Sequence, residues 1–491
     1  MPHKPDSPSH SSKDRVSSRR RYRWLRPLGW VLLGALLPVI GTVVLWFQQK
    51  PALSPWHDTF LNEDYSHREP APSFDDYLKQ EQRVFDELAA LTLSDDPADR
   101  LNRYQHGSLS DPARWGGAGN RSYEWPNPEA EYALLLLHGL TDSPYSVAHF
   151  ANHFAPHSHV LGLRLPGHGT LPSALVELEW QDLTSAVELA ADHLAAQHPD
   201  KPLIVVGYST GAPLALELSM RRIRDGEAAP FDAMVFVSPA IGVTAAAAAA
   251  RWQSRLGHLL GLDKLAWNSV IPEYHPFKYN SFAINGGDLV HRLLRHNRAL
   301  LASLSEPQRA MMPPVLSFQS LTDATVTPSA VLDLHLLQRR RGDDELVLFD
   351  INRRLASHSL LRQDPIGLLE RYAPLPGVTV VENQFAASGK ALTQVQARDW
   401  QEGRVETLPW HWPDTVHSLS HISMPMPAED PVLGNGEIHG EHIQLGNMAV
   451  RGEYGVLAFS SALLLRQQWN PFFPYLLQRT DAFIERQLVQ R

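Results

Sequence analysis

Apolar positions along the 491-residue chain fall into three regimes. Residues 28–47 (LGWVLLGALLPVIGTVVLWF) are uncharged and apolar on every helical face. At about 1.5 Å per residue, twenty of them reach about 30 Å, the thickness of bilayer hydrocarbon, so the stretch predicts a transmembrane helix. Residues 48–125 are punctuated by Pro, Asp and Ser, with one helical pattern near 74–93 in which Tyr77, Val84, Phe85, Leu88 and Leu91 recur at three- and four-residue steps. This regime predicts a stalk or lead-in. From residue 126 onward, short apolar runs at 132–137, 160–165, 203–206, 233–237, 315–318 and 346–349 alternate with helical patterns. Such alternation predicts an α/β domain over 126–491, a mostly parallel sheet covered on both faces. Two segments interrupt it, a helix-rich one at 241–312 and another at 353–412. In open α/β sheets the ligand sits beyond the carboxyl ends of the strands, where insertions roof the site.

Charge adds a direction to this layout. Residues 1–27 carry eight Lys/Arg against two Asp, whereas the remainder carries 36 Lys/Arg against 51 Asp/Glu. The positive-inside rule therefore leaves 1–27 in the cytoplasm and sends the acidic body across an inner (cytoplasmic) membrane as a single-pass protein, with its bulk on the periplasmic or extracytoplasmic side. A cleaved signal fits less well: its apolar region usually runs 7–15 residues, and Gln48-Gln49-Lys50-Pro51 offers no small-residue cleavage site. An acidic body argues against nucleic acid as a partner. The chain has no Cys, which excludes disulfides, thiolate nucleophiles and Cys-ligated metals.

The sharpest chemical signal is Gly207-Tyr208-Ser209-Thr210-Gly211, set between the apolar strand 203–206 and a helical pattern. A strand-to-helix turn this tight excludes side chains at the glycines and thrusts the Ser209 hydroxyl out above the sheet. A serine nucleophile needs amides for its oxyanion. The amide of Thr210, at the start of the following helix, is one; Leu140, in His138-Gly139-Leu140-Thr141-Asp142 after an earlier strand, supplies the second. His168, in Pro166-Gly167-His168-Gly169, precedes the serine and reads as a loop residue, because in a fold built on this strand–serine–helix turn the chain order is Ser, acid, His.

The strings HGLTDSP, PGHG and GYSTG, in this order and at these spacings, resemble the α/β-hydrolase superfamily and within it the monoglyceride-lipase and serine-aminopeptidase-like branch, in a membrane-anchored bacterial-type subgroup. The resemblance implies an eight-stranded α/β-hydrolase fold with a helical lid, here 241–312, and a Ser-acid-His array that needs no cofactor. The acid ends the strand after the lid: Asp323, followed by Val326 in the family's D-x-x-V manner, with a helix N-cap as its ordinary alternative. Seven His follow Asp323. His358 has the spacing of simple members, whereas His421 lies in S-L-S-H-x-x-x-P-x-P-x-x-D-P, a longer string found in a membrane-associated subgroup. His421 is the preferred base, His358 the alternative and His417 a third candidate. The expected activity is ester hydrolysis, lipase- or esterase-like, on a small-molecule or lipid ester; peptidase or thioesterase activity, or a tethered binding role, are the alternatives. A metal hydrolase finds little support, since H-E-x-x-H is absent. The apolar residues Trp252, Leu256, Leu259, Leu260, Leu262, Leu265 and Trp267 could form an acyl wall or pack the lid, and packing is preferred.

Overall fold

The apolar runs pair as strands. The computed structural model describes residues 51–491 except 97, 116–117, 243–262, 335–342, 357–358, 360, 373–375, 438–441, 447–465 and 490–491; before residue 51 it describes Gly34 and Pro38, both helical. The expected span 28–47 lies otherwise outside the described residues, among which no helix is long and apolar enough to cross a membrane. In chain order the strands are β1 (Tyr123–Trp125), β2 (Tyr132–Leu137), β3 (Ser158–Leu163), β4 (Leu203–Tyr208), β5 (Ala233–Val237), β6 (Trp267–Ser269), β7 (Phe282–Ala283), β8 (Val315–Ser320), β9 (Glu345–Phe349), β10 (Val378–Phe385), β11 (Ala391–Asp399) and β12 (Val405–His411). β6 and β7 form a small ribbon; the other ten make one sheet ordered β1-β3-β2-β4-β5-β8-β9-β10-β11-β12.

From β3 to β10 every neighbouring pair is parallel. β1 adds antiparallel at one edge and the β10–β11–β12 meander at the other. The expected eight strands are thus ten, because 353–412, read above only as an insertion, carries β10 to β12 and widens the sheet itself. The parallel strands are buried on both faces, and side-chain alternation divides them cleanly. Leu135, Leu137, Leu161, Leu163 and Val205 join one core with helices α1 (Phe74–Ala89), α3 (Trp180–Gln197), α4 (Gly211–Arg224) and α5 (Ile284–Ser303). Leu134, Leu136, Val160, Ile204 and Val206 join the other with α2 (Ala148–Phe154) and α6 (Phe473–Val489). That two-sided burial is what a parallel sheet requires.

The lead-in is also more than a stalk. Ser73 caps α1 by accepting the Asp76 amide, and Tyr65, Phe74 and Tyr77 enter the core. The reason is electrostatic as well as apolar. Arg164, at the end of β3, is only 1 % exposed and must be neutralised; Asp64 supplies a carboxylate at 3.1 Å. Tyr77 donates to the Arg164 carbonyl at 2.5 Å, and Asp64 also accepts the Gly167 amide at 3.0 Å. Residues 53–90 therefore clamp the loop that contains His168. Within 241–312, α5 packs on α4, while Leu265 and Trp267 are buried, Trp267 with its ring against His57. Trp252, Leu256, Leu259, Leu260 and Leu262 lie outside the described residues.

Candidate active site

Strand order places the site. β2 leads on to β3 on one side and β4 to β5 on the other, so the chain reverses direction between β2 and β4, the position where an open α/β sheet leaves a crevice. The loops leaving these two strands carry Gly139-Leu140 and Ser209-Thr210. Ser209 adopts φ +51°, a left-handed conformation that few L-residues take. It is held there because its amide donates to Val237 O at 2.9 Å while its own carbonyl accepts the Ala240 amide at 3.0 Å. The glycines are explained by contact: a Cβ at Gly211 would lie 2.5 Å from Leu137 O, and one at Gly207 2.7 Å from Ala212 N. The strain presents the Ser209 hydroxyl to the crevice while the residue stays 8 % exposed.

Ser209 Oγ lies 2.9 Å from His421 Nε2, and His421 Nδ1 lies 2.8 Å from Asp323 Oδ2. An ionised Asp323 only accepts, so Nδ1 carries the proton and Nε2 accepts from the serine hydroxyl. Burial pushes the Asp323 carboxyl up, but the bonds from His421 and from the Thr325 and Val326 amides outweigh it and hold it below the usual carboxylate range. The N-cap position of the helix that follows is held by Thr327, without a side-chain capping bond, so Asp323 is not its N-cap. His421 is 5 % exposed, and its loop is tied to the sheet by Ser320 Oγ donating to Leu419 O at 2.9 Å and by Tyr208, whose hydroxyl donates to His421 O at 3.4 Å. Further along the same loop, buried Asp430 accepts from Tyr145 Oη at 2.9 Å, from His149 Nε2 at 2.7 Å and from the Val432 and Leu433 amides.

The two expected oxyanion donors have a common property. Among the described residues neither the Leu140 nor the Thr210 amide has an acceptor, and both residues line one cavity of about 340 Å³ with Ser209 and His421. The Leu140 amide faces inward because the other side of its peptide is pinned. Gly139 O accepts from His138 Nδ1 at 2.9 Å and from the Asp142 amide at 3.2 Å. His138 Nε2 in turn accepts the Leu165 amide at 3.0 Å, which fixes the tautomer, and burial holds the ring's pKa well below the ordinary histidine value. Thr210 sits at the N-terminus of α4, whose dipole favours developing negative charge.

Of the other histidines, His168 is buried, donates Nδ1–H to Pro166 O at 2.8 Å and is lowered by burial to about 4. His417 is exposed, and His358 lies outside the described residues. Among the described residues no group of three or more His, Asp or Glu is arranged to hold a metal. Lys278 escaped sequence reasoning. Its ammonium donates to Thr141 Oγ1 at 2.9 Å and Asp142 Oδ1 at 2.8 Å, bracing the loop that carries Leu140 from 136 residues away in the chain. No local pattern announces such a contact.

A nucleophile elbow at the end of β4, an acid after β8 and a histidine beyond the last strand, arranged around a chain reversal in a parallel sheet, decide the architecture. The fold is that of an α/β-hydrolase. In agreement, residues 128–350 match the family model described as serine aminopeptidase, S33. No curated protein matches the chain. Among solved structures, this chain is similar to one from a study of the metagenome-derived lipolytic enzymes LipS and LipT, at 19% identity over 48% of this chain and 89% of that one, TM-score 0.36. It is similar also to a monoacylglycerol lipase from Paleococcus ferrophilus (16% identity, 46% and 87% covered, TM-score 0.36) and to a soluble variant of monoglyceride lipase from Saccharomyces cerevisiae (14%, 46% and 81%, 0.34).

Proposed function

We propose that this α/β-hydrolase cleaves carboxylic esters through an acyl-enzyme on Ser209. The observation that carries the reading is the unbroken hydrogen-bonded line Ser209–His421–Asp323 beside two amides that have no acceptor among the described residues. His421 Nε2 takes the hydroxyl proton as Ser209 attacks the carbonyl, and the Leu140 and Thr210 amides receive the oxyanion. The imidazolium, stabilised by Asp323, returns the proton to the leaving alcohol; water then enters with His421 again as base and releases the acid. No step calls on a cofactor.

A peptidase reading has the family description in its favour. An aminopeptidase must hold its substrate's α-ammonium, and that takes an available carboxylate. Among the described residues that line the cavity the one carboxylate is Asp142, and it already accepts the Lys278 ammonium, so ester chemistry is favoured. Labelling by a fluorophosphonate that is lost in Ser209→Ala, with release of p-nitrophenol from acyl esters of graded length, tests the reading. A wild-type protein that takes no label sinks it. We further propose that residues 28–47 anchor the enzyme in the inner membrane with the hydrolase domain on the periplasmic side, so that lipid-derived esters are within reach. Twenty uncharged residues behind a basic tail support this, and release of the full-length chain by alkaline carbonate would refute it.

A further inference from the structure

The cavity at Ser209 opens beside a second one of about 170 Å³ with aromatic walls that include Tyr145, Tyr208, Tyr274 and Phe277. Two cationic side chains, Lys278 and Arg466, line both. Lys278 spends two of its three N–H donors on Thr141 and Asp142, and Asp142 matches its charge. Arg466 is different. Its partner among the described residues is a neutral hydroxyl, Thr325 Oγ1 at 2.8 Å, which leaves most of a five-donor guanidinium and its full charge on the shared wall. On the smaller cavity's wall lies a third donor. His275 is buried, accepts the Phe277 amide at Nδ1 at 3.1 Å, and so carries its proton on Nε2, which has no acceptor among the described residues. Burial lowers this histidine to about 3, so it remains a neutral donor at any working pH. Donors without acceptors thus converge on an aromatic-walled space next to the nucleophile, and among the described residues the wall they share with Asp142 and Lys278 keeps one unmatched positive charge.

Resting on the serine-hydrolase reading above, we propose that the substrate of this site carries an anionic group, a carboxylate or a phosphate monoester or diester, that docks on Arg466 and the remaining Lys278 donor while its ester carbonyl lies at Ser209. The guanidinium fork fits two oxygens of such a group side by side. The anion can belong to the acyl part or to the alcohol part. Two matched pairs of esters separate these sources: p-nitrophenyl valerate against mono-p-nitrophenyl glutarate, and a 1-monoacylglycerol against the 1-acylglycerol 3-phosphate of the same chain.

The measured quantity is the ratio of kcat/KM for the anionic over the neutral member of each pair. In the wild type at low salt, one pair gives a ratio of about ten or more, the size expected of a charge-assisted hydrogen bond at a half-open site. High salt lowers it, Arg466→Gln brings it near one, and Arg466→Glu inverts it. The pair that responds tells which side of the ester the anion occupies. Ratios near one for both pairs in the wild type, or a preference that survives Arg466→Gln unchanged, overturn the proposal. Fluorophosphonate labelling of the same samples keeps the two readings apart. Label without anion preference defeats this inference alone; absence of label defeats the hydrolase reading with it.

Discussion

Asp323→Asn separates the orientation of His421 from its mere presence. Asp323 Oδ1 accepts the Thr325 and Val326 amides at 2.7 and 3.1 Å, and Oδ2 accepts His421 Nδ1 at 2.8 Å and Gln319 Nε2 at 3.1 Å. A carboxamide has one oxygen for these four donors. If its NH2 faced the two backbone amides, two buried donors would lose their acceptor, at about 1–3 kcal/mol each. The oxygen therefore stays with the amides and the NH2 turns to His421 and Gln319. Gln319 can accommodate it, because its buried Oε1 has no partner among the described residues and a rotation of the side-chain amide brings that oxygen round, giving up the 3.3 Å bond from Nε2 to Ser320 O. His421 can accommodate it only by accepting at Nδ1, which moves the ring proton to Nε2, opposite Ser209 Oγ. A base that already carries a proton there cannot take another. The expected loss is about 10⁴ in kcat, or roughly 5 kcal/mol of transition-state stabilisation, with KM little changed. The assay is steady-state hydrolysis of p-nitrophenyl butyrate beside the rate of fluorophosphonate labelling, with thermal unfolding as a check that the loop survives. A variant that folds normally and loses less than about 10² in kcat refutes the reasoning, since His421 would then hold its productive tautomer without Asp323.

Three further outcomes follow from other contacts. His138→Ala removes the donor that pins Gly139 O, leaving only the Asp142 amide, and should lower kcat by about ten- to a hundredfold with KM nearly constant; a rise in KM alone would mean that the Leu140 amide is not the group affected. Gly211→Ala sets a methyl 2.5 Å from a backbone carbonyl that belongs to the central strand β2, so a cost of about 1–3 kcal/mol and a lower unfolding midpoint are expected; an unchanged midpoint would show that the elbow can relax. Glu124 is held near 2 by the hydrogen bonds of His159 and His193. Its carboxylate is favoured in the folded state, so it stabilises above the unfolded value of about 4.5, and that stabilisation fades as pH falls towards 2. Glu124→Gln should therefore lower the unfolding midpoint at neutral pH, by an amount that shrinks on acidification below about pH 4.5; a difference that is flat with pH would contradict the assignment.

What could be read from residues alone divides by how local its cause is. The elbow is legible because strand, glycines, serine and helix follow one another within about a dozen residues, and the steric conflict at Gly207 and Gly211 arises from that succession. The fully buried strands β2, β4 and β8 are legible for the same reason: a run with apolar residues on both faces has few other places to go. β11 and β12 escaped because they face a core on one side only, through Val395, Ala397 and Leu408, whereas β10 is buried on both faces but carries polar residues there, Glu382 and Asn383 among them. Val378 and Val380 are buried and Glu382 pairs with Arg398 across the strands, so polar residues interrupt every run. Missing these strands had a consequence for the site, since they are what places His421 98 residues after Asp323. The meander carries the chain to the sheet's far edge, and 412–420 bring it back over the strand ends, anchored where Asn352 donates to Val416 O at 3.0 Å and Ser320 to Leu419 O. A histidine close behind β9 in sequence, as His358 is, is not required by such a path. Least legible were the long-range charge pairs. Arg164 needs Asp64 because the fold removes its guanidinium from water, and Lys278 meets Asp142 only because the fold brings their loops together; a requirement created by folding leaves no periodicity in the chain. The same logic bears on substrate. The motifs that identify a reaction are local because the reacting atoms are close together, whereas the groups that choose a substrate, here Lys278 and Arg466, come from distant loops and become informative only when the cavity they share is seen.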